Sequence, residues 1–321
     1  MAHLSVRTAT MSDGNSFASP LEFDFSGDIG TGEQILSYAV AMSGFVLNYE
    51  TNSPYWAEKA GQLAVALTPN LFGTALDVCG NVVLTDYDGD AARDPGESVS
   101  DPGSVAQVTV LAVIGIPAPG RSPVAGTAFG LPSGQDSGNV PIGSNTDTVA
   151  FLAGFSLAGT SGSTGSIGGL SLTSSVSSPV ADEVKLNGEA STPGFQTTGT
   201  VDVGVLAYGA ALTGFQIVPV SVSWSSPDDE SGMNGSFSAT CTVPSGQSIT
   251  QAALLLQDVS IVYEDTAEFQ MIRAMPVGNL SINGDVVSGT FNLNMYNPDF
   301  GAREYIKSSS NATMSVIVQF S

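Results

Sequence analysis

Ala39–Tyr49 reads AVAMSGFVLNY, Val149–Gly159 reads VAFLAGFSLAG, and Ala253–Tyr263 reads ALLLQDVSIVY. Each is an apolar run in which large side chains recur at every second residue, the period of a strand rather than of a helix. A similar succession follows each one. In the first it is GQLAVALTPN (Gly61–Asn70), NVVLTDYDGD (Asn81–Asp90) and VAQVTVLAVIG (Val105–Gly115). In the second it is GGLSLTSSV (Gly168–Val176), EVKLNGEAS (Glu183–Ser191) and VDVGVLAYG (Val201–Gly209). The third runs through Gly278–Asp299 and closes on ATMSVIVQF (Ala312–Phe320). Self-similarity on this scale marks a repeated supersecondary unit. Registers also agree: Phe45 and Tyr49 are spaced as Val259 and Tyr263 are, and a Gly-x-Leu step recurs at Gly61–Leu63, Gly168–Leu170 and Gly278–Leu280.

The rest of the chain reads the same way. Alternation continues in Glu22–Phe25, Val218–Trp224, Ser236–Thr242 and Thr290–Met295. Asp13-Gly14, Asn187-Gly188, Asn234-Gly235 and Asn283-Gly284 supply the residues that tight hairpin turns require. Helical composition is confined to parts of Ile35–Met42 and Tyr55–Leu67, where Gly44 and Gly61 argue against a helix. The expected fold is all-β, built as tandem antiparallel β-sandwich modules of jelly-roll or Ig-like type. The expected division is a first module over 1–116 with an N-terminal arm, a Pro/Gly-rich linker or arm over 117–143, a second module over 144–209, and a third over 210–321 opened by a hairpin within Phe215–Gly246.

Composition narrows the function. The 321 residues include 42% apolar and only 12% charged residues, with 37 glycines, so the polar surface falls to Ser, Thr, Asn and Gln. Thirty acidic residues against eight basic ones give a net charge of -22. A nucleic-acid partner needs clustered Lys and Arg to neutralise phosphates, and these are too few and scattered. MAHLSVRTATMSDGNSF has no apolar core of a signal peptide, and the chain has no membrane-length apolar run. The expectation is a protein made in the cytoplasm, without membrane insertion. Cys79 and Cys241 read as two buried thiols rather than a disulfide framework.

Catalytic groups are scarce. His3 is the sole histidine, so a Ser-His-Asp or Cys-His arrangement lacks its base, and zinc lacks its ligands. The chain is expected not to be an enzyme. The loop DYDGDAARDPGE places Asp86, Asp88, Asp90, Asp94 and Glu97 at a spacing that lets a short loop wrap a calcium ion, Ca2+. It resembles an EF-hand-type or dockerin-like loop, but departs from it with Gly89 at position four and Ala91 at position six. A turn using Asp and Gly for backbone geometry explains the same residues. Asp228-Asp229-Glu230 reads as a loop tip, and Tyr55, Trp56 and Trp224 as aromatic contact candidates. Together these features point to a self-associating structural subunit of a virion (capsid decoration or tail) or of a filament, its partners being copies of itself and other structural subunits. The alternative is a calcium-dependent lectin- or adhesin-like protein with a glycan partner.

Overall fold

The computed structural model describes residues 2–12, 19–48, 60–86, 104–117, 124–159, 167–178, 180, 182–193, 197–210, 212–227, 232–267, 271–296 and 306–321. Every regular element among them is a strand. The first repeat contributes β1 (Ala2–Ser12), β2 (Leu21–Asp24), β3 (Gln34–Asn48), β4 (Ala60–Phe72), β5 (Ala75–Asp86) and β6 (Val105–Gly115). The second contributes β7 (Ala125–Pro132), β8 (Gln135–Asp136), β9 (Val140–Pro141), β10 (Asp147–Gly159), β11 (Ile167–Val176), β12 (Glu183–Val184), β13 (Leu186–Ser191) and β14 (Thr197–Tyr208). The third contributes β15 (Leu212–Thr213), β16 (Phe215–Val220), β17 (Ser223–Trp224), β18 (Met233–Thr240), β19 (Ile249–Ala267), β20 (Met271–Pro276), β21 (Ser281–Asn283), β22 (Val286–Tyr296) and β23 (Asn311–Phe320).

The pairing is cyclic. In one sheet β1–β6–β3 of the first repeat continues into β20–β22–β18 of the third. In the next, β7–β14–β10 of the second repeat continues into β4–β5–β2 of the first. In the last, β16–β23–β19 of the third continues into β11–β13–β8 of the second. The three seams have one register: Phe45 lies opposite Ala274, Phe155 opposite Val65, and Val259 opposite Leu172. Each repeat therefore divides its long strands between two of these sheets, β9 and β12 form a small sheet of their own, and β3, β10 and β19 touch one another pairwise about a pseudo-threefold axis. The two halves of a repeat still face each other, as β13 packs on β14 and β11 on β10.

This arrangement changes the expected domain picture. Every large sheet runs on from one repeat into the next, so a division into tandem jelly-roll or Ig-like modules is not confirmed. The 117–143 stretch is not only a linker, because it supplies β7, β8 and β9. Nor is the N-terminus a free arm: β1 pairs along its length with β6, and Arg7 donates to the Asp28 carboxylate while its guanidinium lies 5.3 Å from the Phe25 ring centroid. The hairpin expected within Phe215–Gly246 forms in part: β17 pairs antiparallel with β18, whereas β16 lies in another sheet beside β23. The seam register also makes Ile272, not Leu280, the counterpart of Leu63 and Leu170, and Gly278–Leu280 falls in the turn after β20.

The long strands owe their composition to double coverage. Residues Ala39 to Phe45 of β3 are buried without interruption, because one face meets the core of its own repeat and the other meets the axis. A strand covered on both faces reads as a nearly continuous apolar run, which accounts for the helix-like composition of Ile35–Met42. One core cluster joins the three interiors, with Phe45 and Phe155 in edge-to-face contact at 5.3 Å between repeats. A second, smaller cluster lies on the axis and includes Ala41, Phe151 and Leu255, one from each repeat.

One irregularity is repeated three times. The register of β3 against β6 shifts between Met42 and Gly44, that of β10 against β14 between Leu152 and Gly154, and that of β19 against β23 between Leu256 and Asp258. The extra residues, Ser43, Ala153 and Gln257, occupy equivalent bulges, which bend a strand and re-aim its side chains. Two of them bond to the neighbouring repeat. The Ser43 hydroxyl donates to the Leu254 carbonyl at 2.6 Å, and Gln257 Nε2 donates to the Ala150 carbonyl at 3.3 Å. Ala153 has no group to make the third bond.

Candidate functional site

Most residues singled out in the sequence fall outside what the structure describes. Asp86 ends β5, and Asp88, Asp90, Asp94 and Glu97 lie outside the described residues, as do Tyr55, Trp56 and Asp228–Glu230. Trp224 is half-buried in β17, where its ring packs over Gly235. His3 is part of β1, opposite Ile114 and Thr213. Cys79 and Cys241 are free and buried, and burial pushes both thiols above the ordinary value.

The pseudo-threefold pairing instead gathers an apolar feature. β4, β11 and β20 run the same way relative to their seams, so the turns that follow them project from the same end. Phe72 precedes the turn at Gly73, which holds a φ of 61° and joins β4 to β5. Val180 pairs with Glu183 across the turn beyond β11. Val277 follows β20 beside Gly278, which holds a φ of 74°, and Ile282 lies in β21 next to the turn at Gly284. Phe72 is 65% exposed, Val180 73% and Ile282 41%. With Leu71 and Val277, these make five of the seven large apolar side chains that the described residues leave exposed. Isolated exposed apolar residues are ordinary, and these recur beside hairpin turns in all three repeats. The signal in sequence is a bulky apolar residue beside a hairpin turn, where polar residues are the rule.

Between the repeats lie two clefts at equivalent positions. One is bordered by β1, β6, β19, the end of β20 and β21, with Gln107 opposite the bulge. The other is bordered by β7, β14, β10 and β4, with Asp202 in the same place. Asp202 is 8% exposed, and its Oδ1 accepts the Gly130 N–H at 2.6 Å. Burial raises its pKa above the ordinary carboxylate value, against a smaller opposing effect of that bond. A carboxylate with a raised folded-state pKa binds its proton more tightly when folded, so its contribution is fully favourable below the unfolded pKa and is lost as pH rises through the folded one. Asp202→Asn keeps the acceptor for Gly130 and removes the buried charge. Its melting temperature should exceed that of the parent chain at neutral pH, and the difference should vanish in acid below the ordinary Asp value. A difference that grows toward acid would refute this reading of Asp202.

No group of three or more metal-ligating side chains occurs among the described residues, nor any helix long and apolar enough to cross a membrane. No family model, curated protein or solved structure matches the chain.

Proposed function

We propose that the chain is a non-enzymatic structural subunit that self-associates, as a component of a virion (a decoration or tail protein) or of a filament. The observation that carries this reading is the set of apolar hairpin ends, Phe72, Val180 and Ile282, gathered at one end of a strongly acidic chain. Three quasi-equivalent prongs about one axis suit end-on contact with another copy, in which each prong buries apolar area against the facing molecule. The remaining surface, poor in long charged side chains, adds little side-chain entropy cost to such a contact.

Charge sets the conditions. Copies carrying -22 each repel, and salt screens that repulsion while leaving apolar burial intact. Sedimentation velocity should therefore show species larger than the 32.7 kDa chain, in greater proportion at high salt than at low. The triple variant Phe72→Ser, Val180→Ser, Ile282→Ser should sediment as a monomer and melt as the parent does, because these side chains are exposed. A parent chain that stays monomeric at every concentration and salt level would overturn the proposal.

A further inference from the structure

We infer that the cleft around Asp202 binds a protonated aliphatic amine, of the kind a lysine side chain presents. The cleft has a volume of about 420 Å³, within the range of small-ligand sites. Its walls are chiefly apolar, with Leu67 and Pro69 from β4, Phe129 from β7 and Phe155 from β10. Asp202 is the one ionisable residue among those that line it. Oδ1 is engaged by the Gly130 N–H, and no described group donates to Oδ2. Oδ2 is not among the fully buried atoms left without a partner, so it is open to the cleft, where a cation can pair with it. Gly154 keeps the space beside it open, since a Cβ at that position would lie 2.7 Å from Oδ2.

The fold does not call for this carboxylate. Its counterparts opposite the bulges are Gln107 in the first repeat and Thr313 in the third. The equivalent cleft beside Gln107, of about 400 Å³, has no ionisable residue in its lining. Asp202 thus belongs to one cleft and not to the repeat.

Chemistry selects the ligand class. Anions are repelled by Asp202 and by the overall charge. A divalent metal ion needs several oxygen ligands, and one carboxylate oxygen is on offer. A guanidinium binds best through two parallel bonds to both carboxylate oxygens, and Gly130 already occupies one. An ammonium is a compact charge with three donors. It needs one carboxylate oxygen and finds further acceptors in the Thr200 and Ser156 hydroxyls that line the same cleft. Its methylene stem packs on Pro69 and on the exposed Phe129 ring, whose face favours a cation.

The test is a calorimetric titration of the full chain at neutral pH with n-pentylamine, n-pentanol, ethylguanidine and an N-acetyl-lysine amide. The parent chain should bind both amines saturably, the alcohol at least roughly ten-fold more weakly, the usual margin of a charge-assisted bond, and the guanidine more weakly than either amine because only one carboxylate oxygen is open to it. Asp202→Asn should lose that margin, while Gln107→Leu in the other cleft should keep it. The carboxyl carbon resonance of Asp202 in the unmutated chain gives a readout that needs no variant, and it should shift on adding pentylamine. Preference for the lysine amide over pentylamine assigns the cleft to a partner's side chain, and the reverse to a free amine; both support the ammonium chemistry. Equal amine binding by the parent chain and Asp202→Asn, equal binding of ethylguanidine, or an unmoved Asp202 resonance would overturn it. The inference does not rest on self-association, because the binding titration and sedimentation read separate surfaces.

Discussion

Phe151→Ala should destabilise the fold by about 3–5 kcal/mol, the range for emptying a phenylalanine site in a core that cannot collapse. Phe151 is fully buried in the axial cluster, at the position held by Ala41 in the first repeat and Leu255 in the third. One large ring, one medium side chain and one small one thus share the axis. The residues opposite them across β6, β14 and β23 are Thr109, Gly204 and Ser315. Gly204 faces the ring for a reason: a Cβ there would lie 2.0 Å from Phe151 Cε2. The walls of this site come from strands fixed in three different sheets, so they have little freedom to close on a void. Gly204→Ala alone should cost about 1–3 kcal/mol through overpacking. Combined with Phe151→Ala it should cost less than the sum, because the removed ring vacates the space the new methyl needs. Urea denaturation of the four chains measures all three quantities. Strict additivity, or a Phe151→Ala cost below about 1 kcal/mol, would remove Phe151 from the axis.

The asymmetry of that layer bears on how much of the fold could be read from residues alone. Period-two alternation in β6, β14, β18 and β23 is legible, and so is the threefold recurrence of β3, β10 and β19. The partner of each strand is not. Alternation states which side chains face a core, but the same Phe45 or Val65 satisfies a core built by its own repeat or by the next. Only the seam pairs, Phe45 with Ala274 and Phe155 with Val65, decide between separate sandwiches and a shared set of sheets. The Gly-x-Leu step failed in the third repeat because the seam strand there is β20, and Gly278–Leu280 follows its end. Asp202 carries a faint signal, a lone carboxylate within Val201–Leu206. In an alternating strand such a residue reads as solvent-facing, and only the passage of β4 and β7 alongside makes it buried. The apolar hairpin ends carry a clearer signal, yet their common direction follows from the pairing and not from any one turn.

The seams should be the points at which small substitutions separate the repeats. Gly44 and Gly154 are equivalent residues just past the bulge, where the neighbouring repeat's strand crosses closely. A Cβ on Gly44 would lie 2.8 Å from the Ala274 carbonyl oxygen, and one on Gly154 would lie 2.5 Å from that of Val65. Both oxygens belong to backbone held in a sheet, so the strand must shift rather than a side chain turn. Gly44→Ala and Gly154→Ala should each cost about 1–3 kcal/mol. The third equivalent is Asp258, and there the neighbour is spaced to admit a side chain: its Oδ1 accepts the Ser174 N–H at 3.2 Å. Asp258→Ala should therefore cost about 1–2 kcal/mol by losing a bond, with no steric component. Hydrogen exchange separates the two causes. In Gly154→Ala the amides that join Phe155–Ala158 to Gln62–Val65 should lose protection before those of the β4–β5 pairing, because the strain acts across the seam. Uniform loss through both pairings would mean that the repeats open together, and that the close approach at Gly154 does not set the strength of the seam.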